Sequence, residues 1–206
     1  MKQSKKVVAR IIILILALFT VIPGTVSQKV YAEPGGSESS QAADASKDDS
    51  NKKEEKKEED MTPEEREVIF RFYLKNMRRC NNWDLVDLTC RDIVGEYWVD
   101  KDRSLLYRLA ESENLWEQRI SIVSTWAFIR RNDFGDTLEL SERLIGHKHD
   151  LMHKAVGWML REVGKKERQT LTDFLERNAT RLPRTALRYA IEHYPEPERQ
   201  YFLKKK

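Results

Sequence analysis

The chain has 206 residues, with 37 lysines and arginines against 34 aspartates and glutamates, and its formal net charge is only +3. A charge this small excludes a protein that binds nucleic acid through its overall charge, so any such contact must come from local clusters of cations. The two cysteines, Cys80 and Cys90, match no zinc spacing. They can form one disulfide or remain small buried groups.

Residues 1–32 have the pattern of a secretory signal peptide or a membrane anchor. Basic residues precede an apolar run at 11–22, and a Pro-Gly pair and a small-residue exit at 30–32 follow it. The run is shorter than the roughly 20 residues that a spanning helix needs, so we expect cleavage after Ala32 and export. The alternatives are membrane attachment through residues 11–26, and a cytoplasmic location if the leader does not function.

Residues 33–60 are predicted to be a disordered, charged linker. They are rich in Gly, Ser, Ala, Asp, Glu and Lys and contain no aromatic residue. Such a segment cannot bury enough apolar surface to fold. The folded domain is therefore expected to be residues 61–206, a normal size for one domain.

Residues 61–206 are predicted to be all-α, because they show no sustained alternation of apolar and polar residues. The first helix opens at Thr62, with Pro63 at its first helical position, as in a capping box. For the sixth helix we expect Asp150 as the N-cap and Gly164 as the stop signal. The predicted helices span residues 62–79, 83–98, 103–111, 115–130, 135–145, 151–163, 166–178 and 183–194, with a last short turn at 196–203.

Similar segments recur along the predicted helices. Residues 115–119 and 151–154 stand at equivalent places in helices about 35 residues apart, and Arg184 follows about 30 residues later. Helix pairs of this period stack into an α-solenoid of the HEAT type. The sequence therefore predicts stacked antiparallel helix pairs with a concave face that can hold an extended partner.

Two groups of side chains are candidates for a functional site. Trp83 and Asp87 lie four residues apart, so they share one face of the second helix. On the sixth helix Trp158 recurs at helical spacing with three cations, Lys154, Arg161 and Lys165. The other face of that helix already supplies apolar residues for a core, so we expect Trp158 to lie outside the core.

Each candidate also has a structural interpretation. Asp87 can pair with Arg91 one helical turn later, and Trp83 can simply pack at a helix start. Arg119 can form a surface salt bridge with a glutamate. For Trp98, Trp116 and Trp126, core packing is the expectation, because they stand among aliphatic residues.

Three histidines, His147, His149 and His153, cluster near Asp150 and could suggest a metal site. Their spacing places two of them in a loop and one in the first helical turn. We therefore expect them to hydrogen-bond at the helix start, and we expect no metal and no small-molecule cofactor.

Four blocks carry a resemblance to a known family. They are residues 82–87 (Asn-Trp-Asp-Leu-Val-Asp), 114–120 (Asn-Leu-Trp-Glu-Gln-Arg-Ile), 148–164 and 183–191. In this order they resemble the AlkD family of DNA alkylation repair glycosylases. The resemblance covers nearly all of the chain after residue 61. It also implies that the domain is shortened, because the signal segment and linker stand where family members carry further helices.

The resemblance implies an enzyme that excises N3- and N7-alkylated purines from duplex DNA, working in a HEAT-like groove as a monomer. Asp87 matches the family's catalytic aspartate, and Trp83 and Trp158 match its two tryptophans. Arg119 matches an arginine that contacts a phosphate beside the lesion. The resemblance further implies that the DNA backbone is held by the basic residues Lys154, Arg161, Arg184 and Arg188.

Two other functions remain open from the sequence. One is an exported, non-catalytic HEAT-like binding module for nucleic acid, a surface polymer or a protein. The other is a repair fragment fused to a leader by recombination.

Overall fold

The computed structural model describes residues 62–205, so the predicted signal segment and linker lie outside the described residues. Within this range every regular element is helical, which confirms the predicted all-α class. The segment Pro63–Lys206 forms one compact unit. The helices are α1 (Pro63–Asn76), α2 (Trp83–Cys90), α3 (Ser104–Ala110), α4 (Leu115–Ser124), α5 (Gly135–Arg143), α6 (Asp150–Lys166), α7 (Arg168–Asn178), α8 (Arg184–Ala190) and α9 (Glu196–Lys204).

The helices stack in chain order, as the predicted HEAT-like solenoid requires. Helix α4 packs on α2 and α3 on one side and on α5 and α6 on the other, and α6 in turn packs on α7 and α8. The core between them is aliphatic and aromatic, with Ile120, Phe128, Met159 and Phe174 all inaccessible to solvent. In the described part of the chain no helix is long and apolar enough to cross a membrane.

The predicted ends of α6 are wrong at both sides. Asp150 is the first helical residue, and the N-cap is His149, whose Nδ1 accepts the Leu151 N–H at 3.2 Å. Gly164 does not stop the helix, which continues to Lys166. A Cβ at Gly164 would lie 2.4 Å from Leu171 Cδ2, so this glycine allows α7 to pack closely instead of ending α6.

Two predicted helices contain an interruption. The chain after α2 forms a π-helical turn at Arg91–Gly95 before a last helical turn at Glu96–Trp98. After α4 the helix breaks at Thr125, whose hydroxyl donates to the Ile122 carbonyl at 2.7 Å, and resumes over Trp126–Ile129. Helix α8 is shorter than predicted, because regular helix ends at Ala190.

Cys80 and Cys90 are both free and buried. The structure therefore agrees with the alternative of two small buried groups and not with the disulfide. Burial raises the pKa of each thiol. A thiol with a raised pKa is a poor nucleophile, which gives both residues a packing role.

Helices α6 and α8 approach each other closely at Gly157. A Cβ built on this residue would lie 2.5 Å from the Ala186 carbonyl oxygen and 2.6 Å from Tyr189 Cβ. Neither atom can move without moving α8, because one is backbone and the other is attached directly to it. Gly157 therefore sets the spacing of the two helices beside Trp158.

We expect Gly157→Ala to lower the free energy of unfolding by about 1–3 kcal/mol, because the added methyl group overpacks the α6–α8 contact. Urea denaturation followed by circular dichroism measures this change. Gly135→Ala is the matched control, since nothing lies within 4 Å of the position that a Cβ would take there, and its stability should stay within about 1 kcal/mol of wild type. Equal stabilities for the two variants would contradict the packing role of Gly157.

Candidate functional site

The centre of the candidate site is an ion pair between Asp87 on α2 and Arg119 on α4. Arg119 Nε donates to Asp87 Oδ1 at 2.8 Å, and Arg119 Nη2 donates to Asp87 Oδ2 at 2.7 Å. Only 13% of the Asp87 side chain and 6% of the Arg119 side chain are exposed. A bidentate pair of this kind holds the carboxylate in one orientation.

A third contact ties this pair to α6. Arg119 Nη1 donates to the Leu151 carbonyl at 2.5 Å, so one guanidinium joins α2, α4 and the first turn of α6. The predicted phosphate contact of Arg119 must therefore use the N–H groups that remain after these three bonds. The main partner of Arg119 is Asp87, and the alternative pairing with a surface glutamate is wrong.

The alternative pairing of Asp87 with Arg91 is also wrong. Arg91 instead lies over the Trp126 ring, with its guanidinium carbon 4.7 Å from the ring centroid, and Arg130 lies 4.9 Å from the same centroid. Trp126 contacts these two cations and is only half-buried, so it lies outside the core, contrary to prediction. Trp116 is also half-buried and outside the core. Trp98 is buried, and its ring meets Phe70 edge-on at 5.2 Å between centroids, which confirms its predicted core position.

Trp83 is an exposed aromatic residue one helical turn before Asp87. It is the first residue of α2, capped by Asn82, whose side chain accepts the Asp84 N–H at 3.4 Å. Its side chain lies on the same helix face as Asp87, one turn earlier, and the residue is 51% exposed. An indole open to solvent at this place is available for contact with a ligand, and the interpretation of Trp83 as a packed helix start is wrong.

Trp158 lies on α6, seven residues after Leu151 and therefore on the same face. It is half-buried, consistent with its predicted place outside the core. Its indole N–H donates to Glu162 Oε1 at 3.2 Å. The predicted site residues thus lie on α2, α4 and α6, and the Arg119 guanidinium joins these three helices. They are Trp83, Asp87, Arg119 and Trp158.

The cations around Trp158 each have an acidic partner. Lys154 pairs with Asp150 at 3.0 Å, and the hydrogen bond from Lys154 is the main reason why the pKa of Asp150 is below its usual range. Arg161 pairs with Glu192 and lowers the pKa of that carboxyl by hydrogen bonding. The predicted basic stripe is therefore a row of ion pairs.

The two predicted DNA-binding residues of α8 differ in their contacts. Arg184 donates to the Leu203 carbonyl at 2.7 Å, so its guanidinium rests on the end of α9. Arg188 is exposed one turn later on the same helix. Neither residue touches the Asp87–Arg119 pair, and their predicted contact with a DNA backbone stays a prediction.

The histidines form hydrogen bonds at the start of α6. His147 Nδ1 accepts the His149 N–H at 3.0 Å, and its Nε2 lies 2.9 Å from Gln118 Oε1. His153 Nε2 lies 2.5 Å from the His147 carbonyl oxygen. Burial lowers the pKa of His147, which favours the neutral ring that these contacts need. Over residues 62–205 no group of three His, Cys, Asp or Glu side chains is arranged to hold a metal ion.

Sequence reasoning missed Glu162, which bonds to Trp158. The available signal was its spacing, because a carboxylate four residues after a tryptophan on a helix can reach the indole N–H. The Leu151 carbonyl was also missed. A backbone acceptor has no side-chain signature, so no sequence pattern could have found it.

A comparison with known protein families finds a match that covers the candidate site. The family model described as DNA alkylation repair enzyme matches residues 38–194, which is more than half of the chain and includes every candidate site residue. The match begins inside the predicted linker, outside the described residues. Among curated proteins, none matches this chain.

Proposed function

Because the chain belongs to the family of DNA alkylation repair enzymes, we propose that it is a DNA N-glycosylase that removes cationic N3- and N7-alkylated purines from duplex DNA. The observation that carries this proposal is the Asp87 carboxylate, which is held by Arg119 and lies one helical turn after the exposed Trp83. A fixed anion next to an open aromatic ring suits a substrate that is itself cationic.

The reaction needs little help with the leaving group. An alkylated purine of this kind already carries a positive charge, so the C1′–N bond breaks with its electron pair moving to the purine, which leaves as a neutral base. The positive charge then resides on the deoxyribose, as an oxocarbenium-like centre. Catalysis of this step consists of stabilising positive charge, for which a preorganised carboxylate is suited.

Asp87 has the geometry for this role. Arg119 uses two of the roughly four lone-pair directions of the carboxylate, so acceptor capacity remains for the sugar or for water. A water molecule that donates a hydrogen bond to Asp87 would then bond through its oxygen to C1′, and its proton would pass to the carboxylate. In this proposal Arg119 acts mainly by positioning Asp87.

The two tryptophans would stabilise the same charge through their ring faces. Cation–π attraction is worth about 0.5–2 kcal/mol for each ring, depending on exposure. Trp83 is reachable from solvent, and Trp158 lies on the face of α6 that begins at Leu151. We propose that both rings pack against the deoxyribose of the damaged nucleotide.

The DNA backbone would be held by Lys154, Arg161, Arg184 and Arg188. Three of these have a partner within the protein, namely Asp150, Glu192 and the Leu203 carbonyl. Phosphate contacts by these residues would compete with those partners, whereas Arg188 is exposed. Binding should weaken steeply with added salt, because phosphate contacts release counterions. We propose in addition that residues 1–32 act as a signal segment and direct this activity outside the cytoplasm.

The test is base release by the full chain from duplex DNA that carries N7-methylguanine. We expect free N7-methylguanine to accumulate, detected by mass spectrometry, and the same duplex with uracil as the lesion to release no base, because uracil is neutral. Absence of release from the methylated duplex would overturn the proposal. Salt-dependent binding of that duplex without release would instead support the non-catalytic binding module.

A further inference from the structure

Trp158 is held by a carboxylate one helical turn further along α6. Its indole Nε1–H donates to Glu162 Oε1 at 3.2 Å. Lys165 Nζ donates to the same oxygen at 2.8 Å, and Arg161 Nε lies 3.8 Å from it. Two donors and a nearby guanidinium thus surround one carboxylate oxygen, and only 16% of the Glu162 side chain is exposed.

A second ion pair lies next to this carboxylate and joins α6 to the turn after α8. Arg161, which lies beside Glu162, pairs with Glu192 in the turn that follows α8. Gly157, the residue before Trp158, packs tightly on α8. The hydrogen bond to Glu162 therefore orients the indole, and the Arg161–Glu192 pair lies next to Glu162.

An ionised acceptor on an indole N–H has two consequences. It restricts rotation of the ring, because a charge-assisted hydrogen bond is directional and about twice as strong as a neutral one. It also pushes electron density into the ring, which makes the ring face more negative. Since cation–π attraction comes from the negative face, the carboxylate strengthens the attraction of Trp158 for a cation.

We propose that Glu162 is a positioning residue, which orients the Trp158 ring and increases its selectivity for positive charge on the damaged nucleotide. This inference rests on the proposed glycosylase function. A negative charge on α6 works against phosphate binding, so Glu162 lowers general DNA affinity while it raises the preference for a cationic nucleotide. The two effects can be measured separately.

The contact itself is tested by NMR of the full chain labelled with 15N. The indole cross-peak that disappears in Trp158→Phe belongs to Trp158. We expect this peak to move upfield in its proton dimension in Glu162→Leu, because the hydrogen bond is lost, and to stay in place in Glu192→Gln. An unchanged Trp158 peak in Glu162→Leu would overturn the inference, whatever the activity of the chain.

The effect on selectivity is tested with two duplexes that differ in one abasic analogue, a cationic pyrrolidine or a neutral tetrahydrofuran. We expect Glu162→Gln to reduce the preference for the pyrrolidine duplex by at least about threefold. Glu192→Gln is the matched control, because it removes the same charge from the same region without touching the indole. Both variants should bind the neutral duplex slightly more tightly. Only Glu162→Gln should change the ratio of the affinity for the pyrrolidine duplex to the affinity for the neutral duplex.

A double variant shows whether Glu162 acts through the ring. In a Trp158→Phe background, Glu162→Gln should leave the ratio of the two affinities unchanged, because the group that carries the effect is gone. An equal loss of selectivity in both backgrounds would overturn the positioning role and indicate direct attraction by the carboxylate. A wild-type chain that releases no N7-methylguanine overturns the proposed function, and this inference with it. If the wild-type chain releases base but Glu162→Gln leaves the ratio of the affinities for the two duplexes unchanged, only this inference is overturned.

Discussion

Replacing Asp87 with asparagine should reduce the release of N7-methylguanine at least about 100-fold under single-turnover conditions, the lower end of what a positioned acid or base contributes. Asparagine keeps the shape of the side chain and one oxygen for Arg119, but it removes the negative charge that would face the sugar. DNA affinity should change much less, because Asp87 makes no favourable contact with phosphate. Quantifying released base by chromatography, next to a binding titration, separates the two effects.

Asp84→Asn is the control for this experiment. Asp84 lies in the first turn of the same helix and is exposed, so the variant removes the same charge close to Trp83 without touching Arg119. It should release base at the wild-type rate. Both variants must be folded at the assay temperature, which circular dichroism verifies. Equal activity of Asp87→Asn and Asp84→Asn would show that the Arg119-bound carboxylate is not the catalytic group.

The helix starts could be predicted where the signal is local. The predicted starts at about residue 83 and at residue 115 agree with the structure, where Asn82 and Asn114 each cap their helix through bonds to N–H groups two or three positions later. The predicted role of Gly164 is wrong, because a glycine in a helix can have either of two structural roles. It can end a helix through its backbone freedom, or it can admit a neighbouring helix through its missing side chain, and only the position of Leu171 decides between them.

Part of the candidate site could also be predicted, namely the part that depends on spacing along one helix. The spacing of Trp83 and Asp87 fixes a shared helix face, so their neighbourhood follows from one helix. The partner of Asp87 could not be read in this way, because Arg119 is 32 residues away and Arg91 offers a competing partner at local spacing. That choice depends on how α2 and α4 align, and the π-helical turn over Arg91–Gly95 and the packing of Arg91 on Trp126 both contribute to it.

The ion pair also makes a strong prediction for stability. Arg119→Ala should lower the free energy of unfolding by about 3–5 kcal/mol, the usual cost of removing one member of a buried pair. The variant leaves the largely buried Asp87 carboxylate without its counterion and removes the bond to the Leu151 carbonyl, which joins α4 to α6. Urea unfolding at neutral pH measures the loss. Arg71→Ala is the control, because Arg71 pairs with Glu67 in an exposed pair that is worth at most about 1 kcal/mol.

A double variant tests whether the cost comes from the pair or from lost packing. If the unpaired Asp87 carboxylate causes most of the loss, adding Asp87→Asn to Arg119→Ala should restore part of the stability, so the two changes are less than additive. If the alkyl chain of Arg119 and its bond to Leu151 dominate, the two losses should add. Partial restoration of stability would support the assignment of Arg119 as the group that pairs with Asp87 and holds it in place. Additive losses would mean that the arginine mainly joins the helices, and that the orientation of Asp87 has another source.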